Sequence, residues 1–248
     1  MENEISKGWK QYPKKTVELW DEFISWEKRK SGEGKFFINI LKKYNVNKVL
    51  DIACGTGYDS IRLIKEGFIV KSCDGSQEMI KKALQNADKE GVKLDIYYCD
   101  WRSLINKFNE KFDAIICLGN SFTHLFLEKD RIAVLNQIYY LLNHGGILII
   151  DQRNYDYILS KGYKSKHKYV YCGETIDVDL IKKENSLVRF KYTKKDNGSF
   201  TLDLYPIKVK EMKNLLEKVG FSNIKTYGDF KEKFDINNTD FIQHISIK

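Results

Sequence analysis

A chain of 248 residues that is 42% apolar can bury the core of one large α/β domain, and disorder is excluded by that composition. It contains no run of about 18 apolar residues, and its first residues, Met-Glu-Asn-Glu-Ile-Ser-Lys, lack the apolar centre of a signal peptide, so a cytoplasmic protein with no membrane partner is expected. The net charge of +8 admits an anionic partner, but residues 161–195 alone hold ten Lys/Arg against four Asp/Glu, which reads as a local solvated basic face rather than a nucleic-acid surface.

In chain order, residues 14–44 read as helical, with Val17, Leu19, Trp20, Phe23 and Ile24 near 3.6 spacing. A break is expected at Ser31-Gly32-Glu33-Gly34 and a second helix over 35–44. The first strand, Val49-Leu50-Asp51-Ile52, feeds a Gly-rich turn through Gly55 and Gly57 into a helix over 59–66. Next come strand 68–73, helix 76–88, strands 94–99 and 112–117, helix 129–142 stopped by His144-Gly145-Gly146, and strand 147–151. Strands alternating with helices predict a doubly wound, mostly parallel sheet.

The rhythm then changes. Stretches 167–172, 176–182, 187–193 and 199–205 alternate apolar and polar residues without helices between them, as antiparallel strands do. Helix 207–219, ended by Gly220, and strands 222–227 and 241–247 return to the first pattern. Residues 1–154 and 206–248 are therefore expected to form an α/β domain with an N-terminal helical cap, and 155–205 an inserted antiparallel lid.

Five cysteines and four histidines are scattered without metal-ligand spacing, so no metal is expected and the thiols read as buried and reduced. The turn Asp51-Ile-Ala53-Cys-Gly55-Thr-Gly57 lacks the third glycine of a nicotinamide-binding loop. It resembles instead the Asp-x-(Gly/Ala)-x-Gly-x-Gly turn of Rossmann-like S-adenosylmethionine-dependent methyltransferases. Such a cofactor has no pyrophosphate to anchor, but its cationic amino-acid end needs acceptors, here the Ala53 carbonyl with Asp51 nearby. Asp74, at the end of the second strand, suits the two ribose hydroxyls. Asp100-Trp101, after the third, stands where that family reads adenine. Three acids at three successive strand ends argue against coincidence.

After the fourth strand comes Cys117-Leu-Gly-Asn-Ser-Phe-Thr-His124. The Asn/Asp-Pro-Pro-Tyr/Phe motif of many nucleic-acid and protein amino methyltransferases is absent, since Pro13 and Pro206 are the only prolines. Arg153, at the end of the fifth strand, faces the expected cleft, where a guanidinium requires an anion such as a small carboxylate. A structural alternative is that Arg153 ties down the lid through a neighbouring acid.

Four segments, Val-Leu-Asp-Ile-Ala-Cys-Gly-Thr-Gly-Tyr-Asp-Ser, Ile-Cys-Leu-Gly-Asn-Ser-Phe-Thr-His-Leu, Ile-Asp-Gln-Arg-Asn-Tyr-Asp-Tyr-Ile-Leu and Tyr227-Gly-Asp-Phe-Lys231, together resemble glycine N-methyltransferases. Ser165-Lys-His and Arg189-Phe-Lys-Tyr-Thr are closer to the bacterial and archaeal glycine/sarcosine enzymes than to the animal one. The resemblance spans about residues 12–248. It implies that Arg153 holds the substrate carboxylate, that Asn120 and the Gly119 carbonyl orient the amine, and that Tyr155, Tyr171 and Tyr192 line the pocket. On the cofactor side it implies Trp20 and Arg29 at the methionine end, the Leu118 backbone at its amine, and His124. Tyr12 corresponds to an N-terminal pocket tyrosine, while Tyr157, Tyr163 and Tyr169 read as packing. The implied reaction is methylation of glycine to sarcosine, and of sarcosine to dimethylglycine, a step toward betaine, with S-adenosylhomocysteine as coproduct and no nucleic acid involved. Two alternatives are an RNA- or protein-directed methyltransferase using the basic lid and a non-catalytic cofactor-binding module. The short N-terminal arm points to a monomer or dimer.

Overall fold

The computed structural model describes residues 11–12, 14–18, 20–164, 172, 176–194 and 198–248. Its main sheet has seven strands in the order β3-β2-β1-β4-β5-β10-β9. These are β1 (Lys48–Asp51), β2 (Ile69–Asp74), β3 (Asp95–Tyr98), β4 (Phe112–Cys117), β5 (Leu142–Arg153), β9 (Ser222–Gly228) and β10 (Phe241–Ile247). The pairs from β3 to β5 are parallel, and β10 runs antiparallel to both β5 and β9. Val49, Leu50, Ile115, Ile116, Ile149 and Ile150 have no exposed surface, because helices cover both faces of the central strands.

One face packs Leu50, Ile115 and Leu148 against helices Glu128–Leu141 and Val209–Val219. The other packs Val49, Ile116 and Ile149 against Phe36–Lys43 and Leu63 of helix Tyr58–Lys65. Strand order reverses between β1 and β4. That is the switch point at which open α/β sheets leave a crevice beyond the carboxyl ends of their strands.

A second sheet pairs β6 (Ile176–Glu184), β7 (Leu187–Lys194) and β8 (Gly198–Leu204) antiparallel. Val188, Phe190 and Tyr192 alternate inward on β7. With Leu202 and Leu204 they pack onto Phe23 and Tyr155, so the small sheet is seated on the N-terminal helices. The Lys194–Glu22 ion pair adds to that contact.

The helical N-terminus is more broken than its periodicity predicts. Helices Lys14–Glu18, Trp20–Phe23 and Trp26–Glu33 precede Phe36–Lys43. Ile24 leaves the helix to bridge Cys172, and Ser25 then caps the next helix by accepting from the Lys28 amide. β5 starts at Leu142 rather than 147, because the Gly145–Gly146 segment exchanges backbone hydrogen bonds with Lys248 and joins the sheet. The break expected at 31–34 is confined to Gly34 and Lys35, because helix Trp26–Glu33 runs through Ser31 and Gly32; the remaining described boundaries fall within about two residues of expectation. The strand expected over 167–172 lies outside the described residues apart from Cys172. All five cysteines are buried and free.

Candidate functional site

The carboxyl ends of β1, β2, β4 and β5 open into one cleft of about 1410 Å³, open solvent at its mouth included. Its floor is the turn after β1. Asp51 is 1% exposed and lies beneath this turn: its Oδ2 accepts from Ser60 Oγ at 2.7 Å and its Oδ1 from the Ala53 amide at 3.3 Å. Asp51 therefore shapes the turn and does not line the cleft, and burial pushes its pKa up to about 7. Gly57, at φ +94°, begins helix 58–65, and a Cβ there would sit 3.2 Å from that of Ala83. It too supports the floor from below, while Ala53 and Gly55 line it.

Asp74 closes the turn, accepting from the Gly55 amide at 2.9 Å and the Ser76 amide at 2.8 Å. Burial raises its pKa to about 6 despite these bonds. Asp100 is held by Arg102, whose Nη2 approaches to 2.6 Å and whose backbone N–H donates at 3.0 Å. Asp74, Asp100 and Trp101 thus stand along one rim. Arg102 was not anticipated: two residues from Asp100, it gives no periodic or motif signal. The paired acids on the rim and the turn floor fit a nucleoside with a cationic amino-acid end.

Helices 20–23 and 26–33 form the opposite wall. Trp20 meets Tyr12 edge-on at 5.0 Å between ring centres. Arg29 reaches the cleft, but its guanidinium is paired with Glu33 at 2.7 Å and Asp59 at 3.2 Å and stacks 4.3 Å above the Tyr58 ring. Asp21, which the sequence reading passed over, joins this wall to the floor. It accepts from Thr56 Oγ1 at 2.5 Å, Asn86 Nδ2 at 2.7 Å and Trp26 Nε1 at 3.2 Å.

The β4 and β5 ends supply the remaining groups. Gly119 and Asn120 both turn at φ +66°, a conformation Asn tolerates better than most residues. The Arg153 amide donates to Asn120 Oδ1 at 2.9 Å, which fixes the side-chain amide. Its Nδ2 then donates to Tyr155 Oη at 3.0 Å. Tyr155 has no exposed surface, so it positions Asn120 rather than lining the cleft. Leu118, Gly119, Asn120, His124 and Tyr192 do line it, and Tyr171 lies outside the described residues. Tyr157 and Tyr163 pack edge-on at 5.2 Å, and Tyr169 is likewise outside the described residues.

Arg153 projects into the cleft between the rings of Phe190, 4.7 Å from its centre, and Phe241, 5.3 Å. Among the described residues no carboxylate pairs with it. Burial opposes its charge, but Tyr192, Tyr163, the Cys172 thiol and Tyr155 around it outweigh that and keep its pKa above the ordinary value. Phe241, also not anticipated, is held by Asp229 of the Tyr227–Lys231 segment, which accepts from the Phe241 amide at 2.9 Å. A Cβ on Gly228 would collide with Phe234 at 2.4 Å. On the other side of Arg153, Asn154 donates to the Thr239 and Ile236 carbonyls at 2.8 and 2.7 Å, and Gln152 to Ile207 at 2.7 Å. The Gln-Arg-Asn segment is therefore a clamp whose flanks are structural and whose centre, hydrogen-bonded to Tyr192, presents its guanidinium to the cleft.

His124 is neutral, with burial pulling its pKa down to about 4. Burial also raises the pKa of Tyr12 and Tyr192, and that of Tyr155 to about 12, so the cleft holds neutral phenols near the arginine. No group of three or more potential metal ligands occurs among the described residues, and no helix among them is long and apolar enough to cross a membrane.

Residues 49–146 match the family described as "Methyltransferase domain". The chain is 48% identical over 232 residues to the glycine/sarcosine N-methyltransferase of Aphanothece halophytica, covering 94% of this chain and 88% of that protein. It is 34% identical to the glycine N-methyltransferase of Rattus norvegicus, covering 86% and 83%. An S-adenosylmethionine-dependent methyltransferase structure from Clostridium acetobutylicum superposes with a TM-score of 0.73 at 20% identity, covering 93% and 96%.

Proposed function

The chain belongs to the glycine N-methyltransferase family, and we propose that its cleft transfers the methyl group of S-adenosylmethionine to glycine, and then to sarcosine, with Arg153 and Asn120 holding the amino acid. The observation that carries this is the Arg153 guanidinium, clamped between Phe190 and Phe241 and without a carboxylate partner among the described residues. An enclosed cation of that kind selects a small carboxylate. The alternatives of a nucleic-acid or protein substrate gain no support from the relatives' names.

When bound, S-adenosylmethionine supplies an electrophilic methyl group on sulfur. Asp74 would hold the ribose and Asp100 with Trp101 the adenine. Trp20, Arg29, the Ala53 carbonyl and the Leu118 backbone would surround the methionine end. Arg153 fixes the glycine carboxylate, so the amine falls beside Asn120 Oδ1 and the Gly119 carbonyl. Those oxygens accept its N–H groups and leave its lone pair free to attack. The Asn120–Tyr155 and Asn120–Arg153 bonds hold the acceptor rigid. Alignment of this kind is worth effective concentrations on the order of 10⁵ M or more. No group facing the arginine titrates near neutrality, so the amine must lose its proton before or during entry.

The test is incubation with methyl-labelled cofactor and glycine, read by mass spectrometry. Labelled sarcosine followed by dimethylglycine is expected. Label in neither product would overturn the reading.

A further inference from the structure

The side chain of Gln11 links three parts of the molecule that are far apart in sequence. Asp203 lies on the outer edge of β8, whose only ladder partner among the described strands is β7. Its backbone N–H donates to Gln11 Oε1 at 2.6 Å, and its carbonyl accepts from Gln11 Nε2 at 2.9 Å. This pair of bonds leaves no ambiguity about which end of the Gln11 amide is which: the oxygen must face the Asp203 N–H and the nitrogen the Asp203 carbonyl. The second proton of Nε2 points at His124 Nδ1, 3.2 Å away. His124 Nε2 in turn lies 2.8 Å from Tyr12 Oη, and Tyr12 lines the cleft beside Arg153 and Tyr192.

A neutral imidazole carries one proton, and the hydrogen bond at one nitrogen decides where it sits. Because Gln11 can only donate to Nδ1, that nitrogen is bare and the proton is on Nε2. His124 then donates to Tyr12, and the Tyr12 hydroxyl must turn its own proton away from His124, into the cleft. We propose that Gln11 is a positioning residue that sets the His124 tautomer and thereby aims the Tyr12 hydroxyl proton into the reaction cleft. The edge of β8 is what holds Gln11 in register, so the small sheet orients the Tyr12 hydroxyl through Gln11 and His124. The Tyr205 amide, one residue past the end of β8, donates to the Thr123 carbonyl at 2.8 Å and ties that end of the strand to the His124 turn. The consequence for methyl transfer rests on the glycine N-methylation reading; the tautomer itself does not.

The test uses the full chain labelled with ¹⁵N-histidine. Long-range proton–nitrogen correlations distinguish a bare ring nitrogen from a protonated one, and the His124 signals are identified by their loss in His124→Gln. The wild-type protein is expected to show bare Nδ1 and protonated Nε2. Gln11→Glu presents acceptor oxygens only, so the proton moves to Nδ1 and Tyr12 reverses its bond. Unchanged signals of His244, buried in β10, report an intact sheet. In the same variant kcat for glycine is expected to fall about 10-fold, the scale of one reoriented hydrogen bond in the transition state, with the glycine KM within about twofold of wild type. Gln11→Met, which removes the amide and keeps the length, leaves a tautomer mixture and a smaller loss. Protonated Nδ1 in the wild type, an unmoved tautomer in Gln11→Glu, or a moved tautomer with unchanged kcat each overturns the proposal. Absence of glycine turnover by the wild type would instead contradict the methylation reading, since the nitrogen spectrum is read without substrate.

Discussion

Replacing Arg153 with Met separates binding of the amino acid from everything else the cleft does. The Met side chain keeps an unbranched stem between Phe190 and Phe241 but removes the cation. Truncating one partner of a buried ion pair costs about 3–5 kcal/mol. Arg153 is half-buried before ligand enters, so the lower end, about 3 kcal/mol, applies, corresponding to about 150-fold in glycine KM. Cofactor affinity is expected within about twofold of wild type, because Asp74, Asp100 and Trp101 lie on a different rim. The ligand-free protein is expected to melt at a slightly lower temperature, since the surroundings hold the Arg153 pKa above its ordinary value and the contacts of the cation with Phe190 and Phe241 are lost. The assay is glycine KM at saturating cofactor, with calorimetric cofactor titration and thermal melting on the same samples. An unchanged glycine KM, or a KM increase matched by equal loss of cofactor affinity, would refute the reasoning.

Three further outcomes follow from the cleft's chemistry. Since Tyr12, Tyr155 and Tyr192 have raised pKa values and His124 has one near 4, neither these phenols nor the imidazole deprotonates glycine near neutrality; log(kcat/KM) should therefore rise with a slope close to one from pH 7 to 9, and a flat profile from pH 6 to 9 would contradict this. Asp21→Ala removes three acceptor contacts, one to Thr56 of the glycine turn, one to Asn86 behind it and one to Trp26 within the helical wall, and is expected to weaken cofactor binding by about 5–30-fold, or about 1–2 kcal/mol, with glycine KM little changed, as isothermal titration would show. Asp151 is fully buried, its Oδ2 has no hydrogen-bond partner, and burial pushes its pKa to about 7, so the folded state holds this proton more tightly than the unfolded chain. The destabilisation is absent below pH 4, grows as the unfolded carboxyl ionises, and is complete above pH 7. Thermal melts of Asp151→Asn should consequently decline less between pH 5 and 8 than those of the wild type, and parallel curves would count against it.

What could be read in advance followed chain order and local chemistry. Asp74 and Asp100 were legible because each directly follows a strand, and strand ends converge on one edge of a parallel sheet whatever the packing. Arg153 was legible for the same reason. Asp51 shared that signal, yet it points down, because the face a strand-end side chain takes depends on neighbours such as Ser60 that periodicity does not identify. The resemblance puts Tyr155 in the pocket wall, whereas its hydroxyl is taken up by Asn120 and Thr123. Arg29 arrives at the cleft already paired with Glu33 and Asp59, a relation that needs the helix to be folded against the turn. Phe241, Asp21 and Gln11 were invisible because their partners lie far away in sequence; Gln11 and Asp203 are 192 residues apart. The early start of β5 depends on pairing with Lys248 at the other end of the chain, so helix periodicity and a Gly-Gly stop could not reveal it.

The most direct test of the account is a crystal structure of the protein with S-adenosylhomocysteine and sarcosine. The account predicts the sarcosine carboxylate on the Arg153 guanidinium and its nitrogen within hydrogen-bond distance of Asn120 Oδ1 or the Gly119 carbonyl. A carboxylate bound at Arg102 or Arg29, with Arg153 contacting protein groups alone, would contradict it.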